Sequence, residues 1–174
     1  MHERVRPDEK ILRELADIGM IRGLSFGGER IRFSFADGQI RAWLRDVGSV
    51  LELYIYKACL DTGIFSDVRT SAVVDWNGDE KDHAVSNELD VTCTQGITPV
   101  FISCKTCMIR TEALNELAVL RDRFGGQIAR AAIVTAEPAG ASARNRAAEL
   151  NIRIIDLNDL QEGNVDESIR RLMK

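Results

Sequence analysis

Asn87-Glu88-Leu89-Asp90-Val91-Thr92-Cys93-Thr94-Gln95-Gly96-Ile97-Thr98-Pro99-Val100-Phe101-Ile102-Ser103-Cys104-Lys105-Thr106 carries two apolar runs on either side of a Gln95-Gly96 turn signal. Leu89 to Cys93 and Val100 to Ser103 read as strands, and a turn at Gln95-Gly96 pairs them antiparallel. Asp90 and Lys105 then fall at the same end of one hairpin. Charged groups where a strand should be apolar are the most informative residues of the chain, because burial would penalise them unless they serve a site.

Reading outward, Val68 to Trp76 supplies a further strand, and the polar run Asn77 to Asp82 reads as a loop tip, so residues 68–104 form an antiparallel meander. Before it, Leu51, Tyr54, Ile55 and Ala58 follow Gly48 at helical spacing, with Gly63 after the last turn. After it, Thr111 is expected to cap a helix carrying Leu114, Leu117, Ala118 and Leu120, ended by Gly125-Gly126. Ala131 to Val134 is a short buried strand, Ser142 to Leu150 a helix, Arg153 to Ile155 a strand, and Val165 to Met173 an amphipathic helix. Residues 47–174 therefore predict an α/β domain, a mixed central sheet flanked by helices.

Residues 1–46 read differently. Pro7, Asp8 and Glu9 open a helix with the apolar stripe Ile11, Leu12, Leu15 and Ile18, stopped at Gly19. Ile31, Phe33 and Phe35 alternate with Arg30, Arg32 and Ser34, and Ala36-Asp37-Gly38 turns into a second strand, Gln39 to Leu44. Helix plus hairpin is either a truncated winged helix or an extension of the main sheet, and its arginines suit a solvated hairpin face.

The 174 residues carry 23 Lys+Arg against 27 Asp+Glu, a net charge of -4, with 45% hydrophobic and 29% charged residues. This excludes collagen-like and disordered chains. No apolar run approaches the roughly 20 residues of a membrane-spanning helix, so no membrane partner is expected. The start, Met1 to Pro7, is charged and lacks the apolar stretch of a secretory signal, and four cysteines do not make a disulfide framework, so a reducing cytoplasm is expected. A mildly acidic total leaves nucleic-acid contact to a local basic groove or a bound metal.

Glu52 lies on the border of the apolar stripe of its helix, which can pack with that carboxylate turned toward the margin holding Asp90 and Lys105. Glu88, two residues before Asp90, shares its strand face and reads as a supporting acid. Bland alternatives stand beside these: a surface glutamate at 52, a structural Asp90–Lys105 ion pair worth little at a surface, and at Glu112 a favourable first-turn charge.

An acid, a second acid, and a lysine fifteen positions on resemble the PD-(D/E)xK nuclease core. The flanking words are more specific. Asn87 to Val91, Ile102 to Thr106, Glu112-Ala113-Leu114 and Leu120 to Gly126 resemble the C-terminal nuclease domain of CARF-containing effectors over roughly residues 48–160. That resemblance implies a restriction-endonuclease-like fold and cleavage of DNA or RNA with a divalent metal, Mg²⁺ or Mn²⁺. It further implies a role in CRISPR-type defence and a homodimer, the latter also suggested by the broad apolar face of Leu114, Leu117, Ala118 and Leu120. It makes Glu52, Asp90 and Lys105 the catalytic set. Asp90, Glu52 and the Cys104 backbone carbonyl would hold the metal, and Lys105 would orient or deprotonate the attacking water. No stretch resembles the CARF sensor, so a separate sensor domain or chain is expected. Ser103 stands where the family has an acid two residues before the lysine, and it would face the metal position with a neutral hydroxyl.

Two rivals remain. A non-catalytic domain of the same fold would bind nucleic acid or a partner protein, with Ser103 as its sign. A zinc-binding structural module would use Cys104 and Cys107 of the single C-x-x-C, with Cys93 and His83. Cys59 reads as core.

Overall fold

The computed structural model describes residues 9–27, 30–76 and 86–174. Pro7, Asp8, the expected loop tip Asn77 to Asp82, and His83 lie outside these. The chain divides into two compact units, Met1–Val47 and Gly48–Lys174.

In the first unit, helix α1 (Glu9–Asp17) is followed by strands β1 (Ile21–Gly27) and β2 (Arg30–Phe35), which pair antiparallel, and by helix α2 (Gly38–Arg45). The hairpin is a separate two-stranded sheet, so it does not extend the main one. Its partner strand is also not the expected one. Gln39 to Leu44 is helical, because the Asp37 side chain accepts from the backbone N–H groups of Gln39 and Ile40, both at 2.8 Å, and starts a helix. Ile40 and Leu44, which alternate as in a strand, are also one helical turn apart. Within this unit the Arg13 guanidinium sits 4.9 Å from the centroid of the Phe26 ring.

The second unit runs α3 (Val47–Thr62), β3 (Asp67–Asp75), β4 (Ser86–Gln95), β5 (Thr98–Lys105), α4 (Thr111–Phe124), a 3-10 turn (Gly126–Ile128) and β6 (Arg130–Thr135). It continues with α5 (Ala141–Glu149), β7 (Arg153–Ile155), α6 (Leu157–Gln161), α7 (Val165–Arg170) and a closing 3-10 turn (Arg171–Met173). The five-stranded sheet has the order β3-β4-β5-β6-β7. Its first three strands are antiparallel, as the meander requires, and β5, β6 and β7 are parallel, each joined by a crossover helix. Gly96 takes φ +60° in the β4–β5 turn, a conformation that glycine adopts without steric cost.

Two apolar layers cover the sheet. Leu51, Ile55 and Cys59 of α3, with Val165 and Ile169 of α7, pack on Val91, Val100, Ile102 and Val134. Leu114, Leu117, Ala118 and Leu120 of α4 pack with Ala147 of α5 on Leu89, Phe101, Ala131 and Ile133. The apolar face of α4 is thus consumed within the chain and does not call for a second copy. The cap of α4 is Arg110 rather than Thr111, and the expected tail helix stops at Arg170 before tightening into a 3-10 turn. Helix α6, of five residues, escaped the periodicity reading.

Gly125 ends α4 against this second layer. A Cβ there would lie 2.4 Å from the Ala129 Cβ and 2.9 Å from Phe101 Cε2. Gly125→Ala is expected to lower stability by about 1–3 kcal/mol, the usual cost of overpacking a filled core, measured by denaturant unfolding. An unchanged midpoint would mean that the turn does not sit this close to β5.

Candidate active site

The β4–β5 ladder ends at Val91 opposite Ile102, and beyond that pair the two strands are held by side chains. Asp90 Oδ2 accepts from the Cys104 backbone N–H at 2.6 Å and from the Ser103 hydroxyl at 3.1 Å. The carboxylate therefore takes the place of a backbone acceptor at the splayed end of the hairpin, with its other oxygen not used in these bonds.

Strand β4 changes face at this point. Leu89 belongs to the α4 layer and Val91 to the α3 layer, although residues two apart in a regular strand share a face. Opposite Asp90 on β3, between the pairs Thr70–Val91 and Ala72–Leu89, Ser71 takes φ +51°. A non-glycine residue in the left-handed region is costly, and such strain persists only where surrounding contacts impose it. The irregularity lies opposite Asp90 in the β3–β4 register.

Asp90, Ser103 and Lys105 line one cavity of about 50 Å³ with Glu88 and, from α4, Glu116. Sequence reasoning missed Glu116. Asn87 donates to Glu116 Oε1 at 2.8 Å and accepts from the Trp76 indole N–H, while the Trp76 ring stacks edge-on to Phe124 at 5.4 Å. The only signal available was the polar Asn87 beside Glu88 and Asp90, whose partner is 29 residues away. Among the described residues Lys105 is in no ion pair, so the reading of Asp90 and Lys105 as a structural ion pair fails.

Glu52, half-buried on α3, is not among the residues lining this cavity. Its charge is felt instead at the Cys104 thiol, which packs in the α3 layer. Burial first, and then the negative charges of Asp90 and Glu52, push the Cys104 thiol up, with Lys105 opposing them. Glu52, Asp90 and Lys105 thus act on one sulfur. Ser103 donates to Asp90, and Glu112 lies exposed in the first turn of α4.

The oxygen donors of Asp90, Glu88 and Glu116, and of the Cys104 carbonyl, fit a hard divalent cation in kind. No three His, Cys, Asp or Glu side chains among the described residues are gathered to hold a metal by themselves. Mg²⁺ commonly binds through one or two carboxylates, with water and substrate phosphate completing its shell, so the donor set fits such an ion.

The cysteines are disposed otherwise. Cys59 and Cys93 are buried together in the α3 layer, where hydrogen bonding with Cys59, then burial, pushes the Cys93 thiol up. Cys104 is buried and Cys107 exposed. Protonated core thiols are poor zinc ligands, and His83 lies outside the described residues.

The profile of the family described as "Card1-like, endonuclease domain" matches residues 41–173. The chain belongs to that family. No curated protein matches the sequence. Among solved structures, protein VC1899 from Vibrio cholerae is similar with a TM-score of 0.78 at 23% identity, over 95% of this chain and 42% of that one. Can2 from Sulfobacillus thermosulfidooxidans, solved in complex with cyclic tetra-adenylate, is similar with a TM-score of 0.70 at 17% identity, over 98% of this chain and 47% of that one. The Card1-like chain thus spans less than half the length of either structure, and at these identities the likeness is one of fold. That fold is the mixed five-stranded sheet flanked by helices, with Asp90 and Lys105 on adjacent strands at its margin. No helix among the described residues is long and apolar enough to cross a membrane.

Proposed function

We propose that this endonuclease-family domain hydrolyses phosphodiester bonds of DNA or RNA with Mg²⁺ or Mn²⁺, within a CRISPR-type defence system. The observation that carries the reading is the Asp90 carboxylate, gripped by Ser103 and the Cys104 amide beside Lys105 in one cavity. Bound there, a divalent cation supplies charge neutralisation for the phosphate under attack. Asp90 and the Cys104 carbonyl are the residues that would hold it, with Glu88 and Glu116 adding negative charge at the cavity wall and Glu52, which does not line the cavity, contributing only through water. Ser103 and the Cys104 N–H fix the rotamer of Asp90 before substrate arrives, so no reorganisation is spent in the reaction. The Lys105 ammonium, free of an ion pair among the described residues, can orient the attacking water and offset charge on the phosphate oxygens.

The test is to incubate the full chain with single- and double-stranded DNA and RNA, with Mg²⁺ or Mn²⁺, with and without EDTA. Cleavage that EDTA abolishes is expected. Binding without cleavage in any metal would favour a non-catalytic domain of this fold, the reading that a neutral Ser103 in an acid's place supports.

A further inference from the structure

A second concave surface lies at the far edge of the sheet. Strand β7 is three residues long and among the described residues pairs only with β6, so no described strand covers its outer edge. A cavity of about 530 Å³ runs along that edge, walled by α5 on one side and by the closing 3-10 turn on the other. Its lining includes Arg130, Arg144, Arg153, Arg171 and Lys174, and no acidic residue. In a chain of net charge -4, five cations in one groove are a local reversal of sign.

Two of the five are committed to carboxylates, Arg144 to Asp156 and Arg171 to Glu167. The other two guanidinium groups are not. Arg130 donates to the Ile128 carbonyl and Arg153 to the Arg171 carbonyl, both at 3.3 Å, and among the described residues neither is in an ion pair. A carbonyl orients a guanidinium without neutralising it, and each group has further N–H donors. Planar donors of this kind suit phosphate oxygens.

We propose that this groove binds the phosphodiester backbone of a nucleic-acid strand, remote from the site of chemistry, through Arg130 and Arg153. The proposal rests on the nuclease reading above and adds a second contact to it. Two strand spacings and three residues of ladder separate the backbones of Arg153 and Lys105, about 14 Å, and the odd number of residues turns their side chains to opposite faces of the sheet. A plain alternative is that Arg153 only guards an exposed strand edge against pairing with another chain.

Binding of fluorescein-labelled 20-nucleotide DNA and RNA single strands to the full chain, measured by anisotropy in EDTA over a range of salt, decides between them. Arg130→Glu with Arg153→Glu is expected to weaken binding by roughly tenfold or more and to lower the salt-dependence slope by about one unit per lost phosphate contact. The double lysine variant keeps the charge and should retain most of the affinity. Lys57→Glu, an equal change of charge per site on α3, controls for net charge. Affinity unchanged in the double glutamate variant, aggregation of that variant at unchanged affinity, or an equal loss in Lys57→Glu would each overturn the proposal. So would wild-type protein that binds neither strand. Because no cleavage is read, loss of binding in a chain that never cleaves would leave the groove standing and remove the catalytic reading alone.

Discussion

Asp90→Asn is expected to lower the rate of phosphodiester cleavage by on the order of 10²- to 10³-fold or more, with the fold retained. The carboxylate is half-buried at the splayed end of the β4–β5 hairpin, and one of its oxygens accepts from both Ser103 and the Cys104 amide. An amide keeps the size of the side chain and one acceptor, so the hairpin end stays closed, but it removes the negative charge a divalent cation needs. Ser103→Ala is the milder companion. It deletes one of the two bonds that orient Asp90 and should cost about 1 kcal/mol of stability, with a smaller loss of rate. Circular dichroism with single-turnover kinetics separates the two effects. A wild-type rate in Asp90→Asn would remove Asp90 from the chemistry.

The second large effect is on stability. Asp156 is buried at the end of β7, where its carboxylate accepts from the Ala139 and Asn158 amides and pairs with Arg144. It also forms a reciprocal capping box with Asp159 that starts α6. Burial alone would raise its carboxyl, but the Ala139 and Asn158 amides, Arg144 and the Asp159 backbone bond together hold it below the ordinary carboxylate range. Asp156→Ala strands these donors and is expected to cost on the order of 3 kcal/mol, little of it from the half-exposed Arg144. The sign of the pH dependence follows from a folded-state value lower than the unfolded one. The stabilisation is fully present above the unfolded value of about 3.9 and is lost as pH falls through the folded one. Wild-type protein should therefore lose stability below about pH 4 more steeply than Asp156→Asn. Parallel curves for the two proteins would contradict the assignment.

Much of the sheet was legible because its strands alternate or run apolar between clear turns. The strands expected at Val68 to Trp76, Leu89 to Cys93 and Val100 to Ser103 are β3, β4 and β5, each close to its expected bounds. Residues 39–44 were not legible as helix from their pattern alone, since Ile40, Ala42 and Leu44 satisfy a period of two. The Asp37 cap decides there. Strand β1 was hidden by Gly23 and Gly27, which interrupt its alternation. At the site, the turn at Gln95-Gly96 was enough to bring Asp90 and Lys105 together. The change of face between Leu89 and Val91 was not readable, because strict alternation places both on one side. Nor was Glu116, an ordinary glutamate on a helix surface until Asn87 ties it to the cavity wall. The Ser103 hydroxyl, expected to face the cation, donates to Asp90. Ser103 also lines the cavity with Asp90 and Lys105.

Lys105 tests the account most directly, because a nuclease needs its ammonium and a structural domain does not. Single-turnover cleavage of a labelled strand with Mn²⁺ should proceed in wild-type protein and fall by on the order of 10²-fold or more in Lys105→Ala, with nucleic-acid affinity largely retained. Equal rates in the two proteins, or no cleavage of any DNA or RNA by either, would contradict it.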